Sequence, residues 1–117
     1  MPNHFSHKEL ACKCGCGLQN TTDIQLSMLN NVRELVGVPM IVTSGSRCPE
    51  YNKKVGGVET SDHLTGQGTD VFCETSSMRF ALIRSAIAIG FKRIGVAKDF
   101  IHLGSNNNNP RNVFWLY

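Results

Sequence analysis

The sequence predicts an α+β fold in which helices flank a small antiparallel sheet. Apolar residues recur at steps of three and four in two segments, about residues 22–36 and 76–89, as they do in amphipathic helices. Short apolar, β-branched runs lie between and after these segments, so the predicted order is helix, strand, helix, strands. The length of 117 residues fits one domain, 1–117, built around a single core.

Two helices are predicted before the first strand. Ser6 and Glu9 have the spacing of a capping box, which predicts a short helix that ends at the following Cys/Gly segment. Thr22 and Gln25 form a second such pair, at the start of a helix that Gly37 closes. The residues expected to face the core from this second helix are its regularly spaced apolar ones: Ile24, Met28, Val32, Leu35 and Val36.

The middle of the chain alternates short strands with helices. Residues 40–43 and 69–72 are the runs that predict strands. A short helix from Pro49 to Lys54 lies between them, because proline fits the first turn of a helix. A longer helix follows the second strand; its cap is Ser76 or Ser77, its end is near Ile89, and its apolar side is formed by Phe80, Ile83 and Ile87.

The last part of the chain predicts three more strands. Residues 92–97 and 100–103 are joined by a tight turn, and residues 112–117 follow a polar loop rich in asparagine. Because side chains alternate along a strand, Phe100 and His102 are expected to share one face of theirs.

Composition and charge argue against several classes of function. The formal net charge is +3 and the pI is about 8.7, but Lys and Arg are scattered, so no nucleic-acid partner is expected. Weak attraction to an anionic polymer such as a bacterial wall is compatible with this charge. The apolar runs are too short to span a membrane, and the N-terminus lacks the pattern of a signal peptide. We expect a monomer that is synthesised in the cytoplasm without a signal peptide and released by other means.

The chain has five cysteines, three of which alternate with other residues in Cys12-Lys13-Cys14-Gly15-Cys16. This spacing differs from the paired C-x2-C pattern of a structural zinc knuckle, so free thiols are favoured over a second metal site. A disulfide from Cys12 or Cys16 to Cys48 is the alternative if the protein reaches an oxidising compartment.

One stretch combines residue types that bind metals. His63 precedes Asp70 by seven residues, and His102 lies on a separate predicted strand. Two histidines and one carboxylate are a ligand set of catalytic zinc, which keeps its fourth position for water. Asp99, three residues before His102, would then act as the general base. The alternative is that both histidines are ordinary, partly buried side chains and that Asp70 caps a turn.

A wider pattern resembles one family. The motifs Ser61-x-His-x-x-Gly-x-x-x-Asp70 and Asp99-x-x-His102 are similar to those of the zinc D,D-peptidases of family M15. Members of that family include D-alanyl-D-alanine carboxypeptidases and phage endolysins that cut L-alanyl-D-glutamate bonds. The resemblance implies a Hedgehog/D,D-peptidase-like version of the α+β fold. It extends over most of the chain, through Phe5, Lys8-Glu9-Leu10, Cys-x-Cys-Gly-Cys-Gly, Ser44-Gly45-Ser46-Arg47-Cys48-Pro49 with Asn52, and Val55-Gly56-Gly57.

The resemblance implies a role for each matching residue. His63, Asp70 and His102 would bind Zn²⁺, and Asp99 would be the base. Arg47 would hold the scissile carbonyl or a substrate carboxylate, a task that suits the two parallel hydrogen bonds of a guanidinium.

Two further positions concern the loop before Asp70. Ser61 either contacts the substrate or caps the turn that carries His63. Gly68 departs from the family, which usually has alanine there, and it is expected to make the approach to Asp70 more flexible.

These implications predict a zinc metallopeptidase that hydrolyses peptidoglycan stem peptides, as a D-Ala-D-Ala carboxypeptidase or an L-Ala-D-Glu endopeptidase of phage or prophage origin. One alternative is a non-catalytic phage structural or wall-binding module that keeps the fold, although such a module has no use for the base Asp99. Another is a cysteine-rich metal module, for which the cysteine spacing is poor.

Overall fold

The computed structural model describes residues 3–117, and the first two residues of the predicted 1–117 domain lie outside them. Within residues 3–117 the chain forms four α-helices, one 3₁₀ helix and five strands. The helices are α1 His7–Leu10, α2 Asp23–Val36, α3 Pro49–Lys54, the 3₁₀ helix Asp62–Thr65 and α4 Ser76–Ile89. The strands are β1 Val42–Ser44, β2 Gly68–Phe72, β3 Arg93–Val96, β4 Phe100–Gly104 and β5 Val113–Leu116. None of the helices in this part of the chain is both long and apolar enough to cross a membrane.

The α+β class is confirmed, but the sheet is mixed and not purely antiparallel as predicted. Its strand order is β1-β2-β4-β3-β5, and all neighbours are antiparallel except β3 and β5. Both edges of β4 are taken by β2 and β3, so the chain that leaves β4 must join an outer edge of the sheet. The connection 105–112 leads the chain past β3 to this edge, where β5 pairs with β3. Both β3 and β5 run in the direction opposite to β4, so they are parallel to each other.

Side-chain alternation gives the sheet two different faces. Val71 on β2 lies opposite Ile101 on β4, and both pack into the hydrophobic core with residues of α2 and α4. The next pair along the same two strands is Asp70 and His102. Because successive side chains point to opposite sides of a sheet, this polar pair faces away from the helices. The functional site is therefore built on the face that the helices leave uncovered.

The core-facing side of α2 agrees only in part with the predicted one: Val32 is buried, and Met28 and Val36 pack against the core, as expected. Leu29 and Val32 are buried, whereas Ile24 and Leu35 are exposed. In α4 the predicted Ile83 packs against the core, but the predicted Phe80 and Ile87 are exposed. The buried residues of this helix are Leu82, Ser85 and Ala86. Each helix carries more apolar residues than the sheet can cover, so periodicity alone does not select the buried stripe.

The predicted caps are only partly correct. The Ser6–Glu9 capping box is present. Thr22 caps α2, but the Gln25 side chain does not return to it; Gln25 is buried and donates to Thr69 Oγ1 and to the Leu103 carbonyl, each at 3.0 Å. Gln25 therefore ties α2 to the sheet. The cap of α4 is Thr75, one residue before the predicted serines.

We predict that Leu29→Ala lowers the free energy of unfolding by about 2–5 kcal/mol, because it removes a fully buried side chain (0% exposed) and leaves a cavity. Leu35→Ala is the matched control on the same helix; Leu35 is 53% exposed, and its loss should cost no more than about 0.5 kcal/mol. Urea unfolding at fixed zinc concentration measures both. Equal losses would show that the buried stripe of α2 has been assigned incorrectly.

Candidate metal centre

Two of the three predicted ligands are brought together by strand pairing. Asp70 and His102 are direct partners in the β2–β4 register. His102 Nδ1 lies 2.8 Å from Asp70 Oδ1, and both side chains are buried. A pair opposite each other on antiparallel strands is separated by only about 5 Å, so the register itself sets this distance.

The third predicted ligand, His63, comes from the 3₁₀ helix before β2. The Ser61 side chain caps this helix by accepting the His63 N–H at 3.2 Å, and Gly66 ends it. The His63 ring is buried, and its Nε2 lies 3.2 Å from Asp70 Oδ1. The three predicted ligands therefore meet at one point, with ligand atoms within 4.8 Å of one another.

Hydrogen bonds on the far side of each ring select the nitrogen that faces this point. His63 Nδ1 lies 2.7 Å from the Gly45 carbonyl oxygen, which can only accept, so Nδ1 carries a hydrogen and Nε2 is the nitrogen that faces Asp70. His102 Nε2 lies 2.9 Å from Asp62 Oδ2, which leaves Nδ1 to face Asp70. Metal-binding histidines usually have such a partner on the second nitrogen. The donor set of two imidazole nitrogens and one carboxylate fits zinc.

The residue that orients His102, Asp62, was not identified from the sequence. It is 2% exposed and accepts hydrogen bonds from Arg93 Nε, at 3.0 and 3.2 Å, and from Asn109 Nδ2, at 2.8 Å. The one available signal was an aspartate directly before a predicted histidine ligand. Nothing local in the sequence indicates that this aspartate turns toward a histidine 40 residues further on.

Two glycines provide the space in which the Asp62 carboxylate reaches His102. A Cβ atom at Gly68 would lie 2.6 Å from Asp62 Cβ and 2.9 Å from His102 Cε1. A Cβ atom at Gly104 would overlap Asp62 Oδ2. Gly68 thus has a steric role in the structure, which differs from the predicted role of making the chain more flexible.

The buried charges at the site shift one another's pKa values. Burial opposes ionisation of Asp70, but hydrogen bonds to His102 and His63 outweigh it and hold the pKa of Asp70 well below its usual value. Burial also opposes protonation of His102, but its hydrogen bonds to Asp62 and Asp70 raise its pKa above the usual 6.5. A metal ion at His102 Nδ1 would compete with a proton for this nitrogen, and the raised pKa favours the proton in that competition.

The three predicted ligands line a pocket of about 630 Å³. Trp115 forms part of its wall, with its ring centroid 5.4 Å from that of His102. The other lining residues come from the loops and from the uncovered face of the sheet: Thr43, Arg47, Val55, Gly56, Gly57, Val58, Thr60, Ser61, Asp62, Arg93, Phe100, Asn109, Pro110 and Tyr117.

Arg47 lines this pocket beside the ligands. Its Nε donates to Ser44 Oγ at 3.0 Å and one terminal nitrogen donates to Asn52 Oδ1 at 3.2 Å. The other terminal nitrogen lies 3.5 Å from Asp70 Oδ2. The guanidinium is thus held in place by Ser44 and Asn52, with one nitrogen directed at the ligand carboxylate.

The remaining two predicted site residues are placed differently. Ser61 lines the pocket and also caps the 3₁₀ helix, so the structure shows its capping role. Asp99 is exposed in the turn between β3 and β4, and it is not among the residues that line the pocket. Its backbone carbonyl accepts the Cys73 N–H at 2.9 Å.

The chain was compared with models of known protein families. A family model described as Peptidase M15 matches residues 3–104, which include all the predicted ligands. A search of curated proteins found no match.

We predict that Asp62→Asn weakens zinc binding at this centre by about 10–100-fold, because it removes the carboxylate that orients His102. Zinc titration of the metal-free protein, against a competing chelator, measures the affinity. The fluorescence of Trp115, the sole tryptophan, reports binding locally because its ring contacts His102.

Asp23→Asn, at an exposed aspartate in the first turn of α2, is the matched control and should bind zinc with unchanged affinity. Unchanged affinity in Asp62→Asn as well would show that Asp62 does not support the centre.

Proposed function

The chain belongs to the peptidase M15 family, and we propose that it is a zinc-dependent metallopeptidase that hydrolyses peptide bonds in peptidoglycan stem peptides. The observation that carries this proposal is the His63, Asp70 and His102 donor set in the lining of a pocket, with one nitrogen of each ring already directed inward. A peptidase of this kind needs three protein ligands and an open side for water and substrate.

When bound, zinc supplies a water of lowered pKa and a Lewis acid for the scissile carbonyl. The chain's own residues supply orientation and charge. Asp70 adds a negative charge to the centre, while the Gly45 carbonyl and Asp62 fix the two rings. Ring orientation matters because a small displacement of a reacting group lowers the rate steeply.

Arg47 is the proposed binding group for the substrate. Its guanidinium lines the pocket beside Asp70 and is 14% exposed, so it is partly desolvated and still accessible. Stem peptides carry free carboxylates as well as amide carbonyls, and a guanidinium can donate two hydrogen bonds to either. Stabilisation of the developing oxyanion by one such donor is typically worth about 3–4 kcal/mol.

Asp99 is the proposed general base, a role implied by the Asp99-x-x-His102 pattern of the endolysins. Asp99 is exposed in its turn and is followed by Phe100, which lines the pocket, so the carboxylate has to turn into the pocket to reach a water at the centre. Catalytic hydrogen bonds often form only in the substrate complex. This pattern is also the basis for proposing a phage or prophage origin, with action on the cell wall after release by other means.

The substrate proposal predicts cleavage of defined muropeptides by the zinc-loaded protein. Mass spectrometry of the new termini separates the two activities: loss of the terminal D-alanine identifies a carboxypeptidase, and separation of L-alanine from D-glutamate identifies an endopeptidase. His63→Ala should reduce turnover to background, because it removes a metal ligand. A zinc-loaded protein that cleaves neither bond would contradict the proposal and favour a non-catalytic wall-binding module.

The base assignment predicts that Asp99→Asn lowers kcat by about 10²–10⁴-fold while zinc binding is retained. Glu74→Gln is a suitable control, because Glu74 is an exposed carboxylate next to Cys73, whose N–H donates to the Asp99 carbonyl. Full turnover by Asp99→Asn would remove Asp99 as the base and leave the metal assignment intact.

A further inference from the structure

A second cluster of metal-ligating side chains lies away from the peptidase pocket. The sulfur atoms of Cys12, Cys14, Cys16 and Cys48 all lie within 4.8 Å of one another. Three of them come from the N-terminal segment, and Cys48 comes from the loop between β1 and α3. Cys48 is 32 residues from Cys16 in the sequence, and the only link predicted for it was a disulfide to Cys12 or Cys16.

The distances between these sulfurs match a tetrahedral metal site. Cys12 Sγ is 3.5 Å from Cys14 Sγ and 3.9 Å from Cys48 Sγ, and the Cys14–Cys48 separation is 3.7 Å. Four sulfurs that each bind one zinc ion at about 2.3 Å, at the corners of a tetrahedron, are separated by about 3.8 Å. A disulfide requires a separation of about 2.05 Å, and all four cysteines are free thiols in the structure.

The backbone of the N-terminal segment is shaped to make its three sulfurs converge. In an extended strand, alternate side chains are spaced about 7 Å apart along one face, too far to share one ion. Gly15 and Gly17 both have φ of +87°, a left-handed conformation that bends the chain after Cys14 and again after Cys16. The Cys-x-Cys-Gly-Cys-Gly pattern therefore curls around a centre, which explains how a spacing unlike C-x2-C produces a compact cluster.

Backbone N–H groups point at two of the sulfurs. The Cys48 N–H donates to Cys12 Sγ at 3.4 Å, and the Tyr51 N–H donates to Cys48 Sγ at 3.4 Å. Such bonds favour the thiolate, which is the form that binds metals.

We propose that Cys12, Cys14, Cys16 and Cys48 form a structural zinc site, distinct from the peptidase centre. Four thiolates complete a tetrahedral shell and leave no position for water, so this site would be structural and not catalytic. It would tie the N-terminal segment to the loop that carries Arg47, the residue next to Cys48. The same two segments are already joined by the Ser46 N–H, which donates to the Leu10 carbonyl at 2.9 Å.

The test is metal stoichiometry by native mass spectrometry on the full chain, purified with a thiol reductant and loaded with zinc. The wild type should carry two zinc ions, and the double variant Cys14→Ser/Cys16→Ser should carry one. Both cysteines are exposed, so serine at these positions leaves the hydrophobic core intact. His63→Ala should also carry only one ion, because it loses the ion of the peptidase centre. Cys73→Ala changes the one cysteine outside the cluster and should keep both ions.

Cobalt substitution and thiol alkylation provide the second readouts. Cobalt bound by thiolates gives a strong near-ultraviolet charge-transfer band, which should persist in His63→Ala and Cys73→Ala and disappear in Cys14→Ser/Cys16→Ser. In the zinc-loaded wild type, iodoacetamide should not modify Cys14 or Cys16, although both side chains are exposed, until a chelator removes the metal.

Three results would overturn the proposal: a double variant that still carries two zinc ions, rapid alkylation of Cys14 and Cys16 in the zinc-loaded wild type, or iron in place of zinc in the cluster.

Discussion

The buried carboxylate of Asp70 is the constraint on which the rest of the structure depends. Removing an ion from water costs several kcal/mol unless partners compensate for it, and here His63, His102 and Arg47 surround the carboxylate. These partners come from three separate segments, so the charge is stabilised only when the whole fold has formed. A slip of one residue between β2 and β4 would turn Asp70 toward the helices and Val71 toward the pocket. The apolar core and the polar centre therefore specify the same register.

The loop between β1 and α3 connects the parts of the site. Gly45 offers its carbonyl to His63, Arg47 lines the pocket, and the proposed zinc site includes Cys48. Gly45 itself packs so closely on the Leu10 carbonyl that a Cβ atom there would overlap it. The N-terminal segment thus supports the loop from outside, and its position affects both the ring orientation of His63 and the position of Arg47. This gives a physical reason for a structural metal site on a domain whose catalytic centre lies elsewhere.

Features of sequence that are local were predictable, and features that depend on long-range packing were not. Residue type, spacing and strand alternation were enough to propose His63, Asp70 and His102, and the structure brings these three together. The approximate extents of the main helices and strands also followed from periodicity and caps. The role of Asp62 could not be predicted, because it depends on space left by Gly68 and by a glycine on another strand. The parallel pairing of β5 and the buried stripes of α2 and α4 likewise depend on which surfaces remain free after the other elements have packed.

The most direct measurement of the central claim is a crystal structure of the zinc-loaded protein, with anomalous diffraction data collected at the zinc absorption edge. An anomalous peak is expected between His63 Nε2, His102 Nδ1 and an Asp70 carboxylate oxygen, at about 2.0–2.2 Å from each. The Gly45 carbonyl and Asp62 should remain hydrogen-bonded to the opposite ring nitrogens. A zinc ion bound through the other nitrogen of either ring, or no peak between these three side chains at full zinc loading, would contradict the claim that this fold holds a preorganised metal centre.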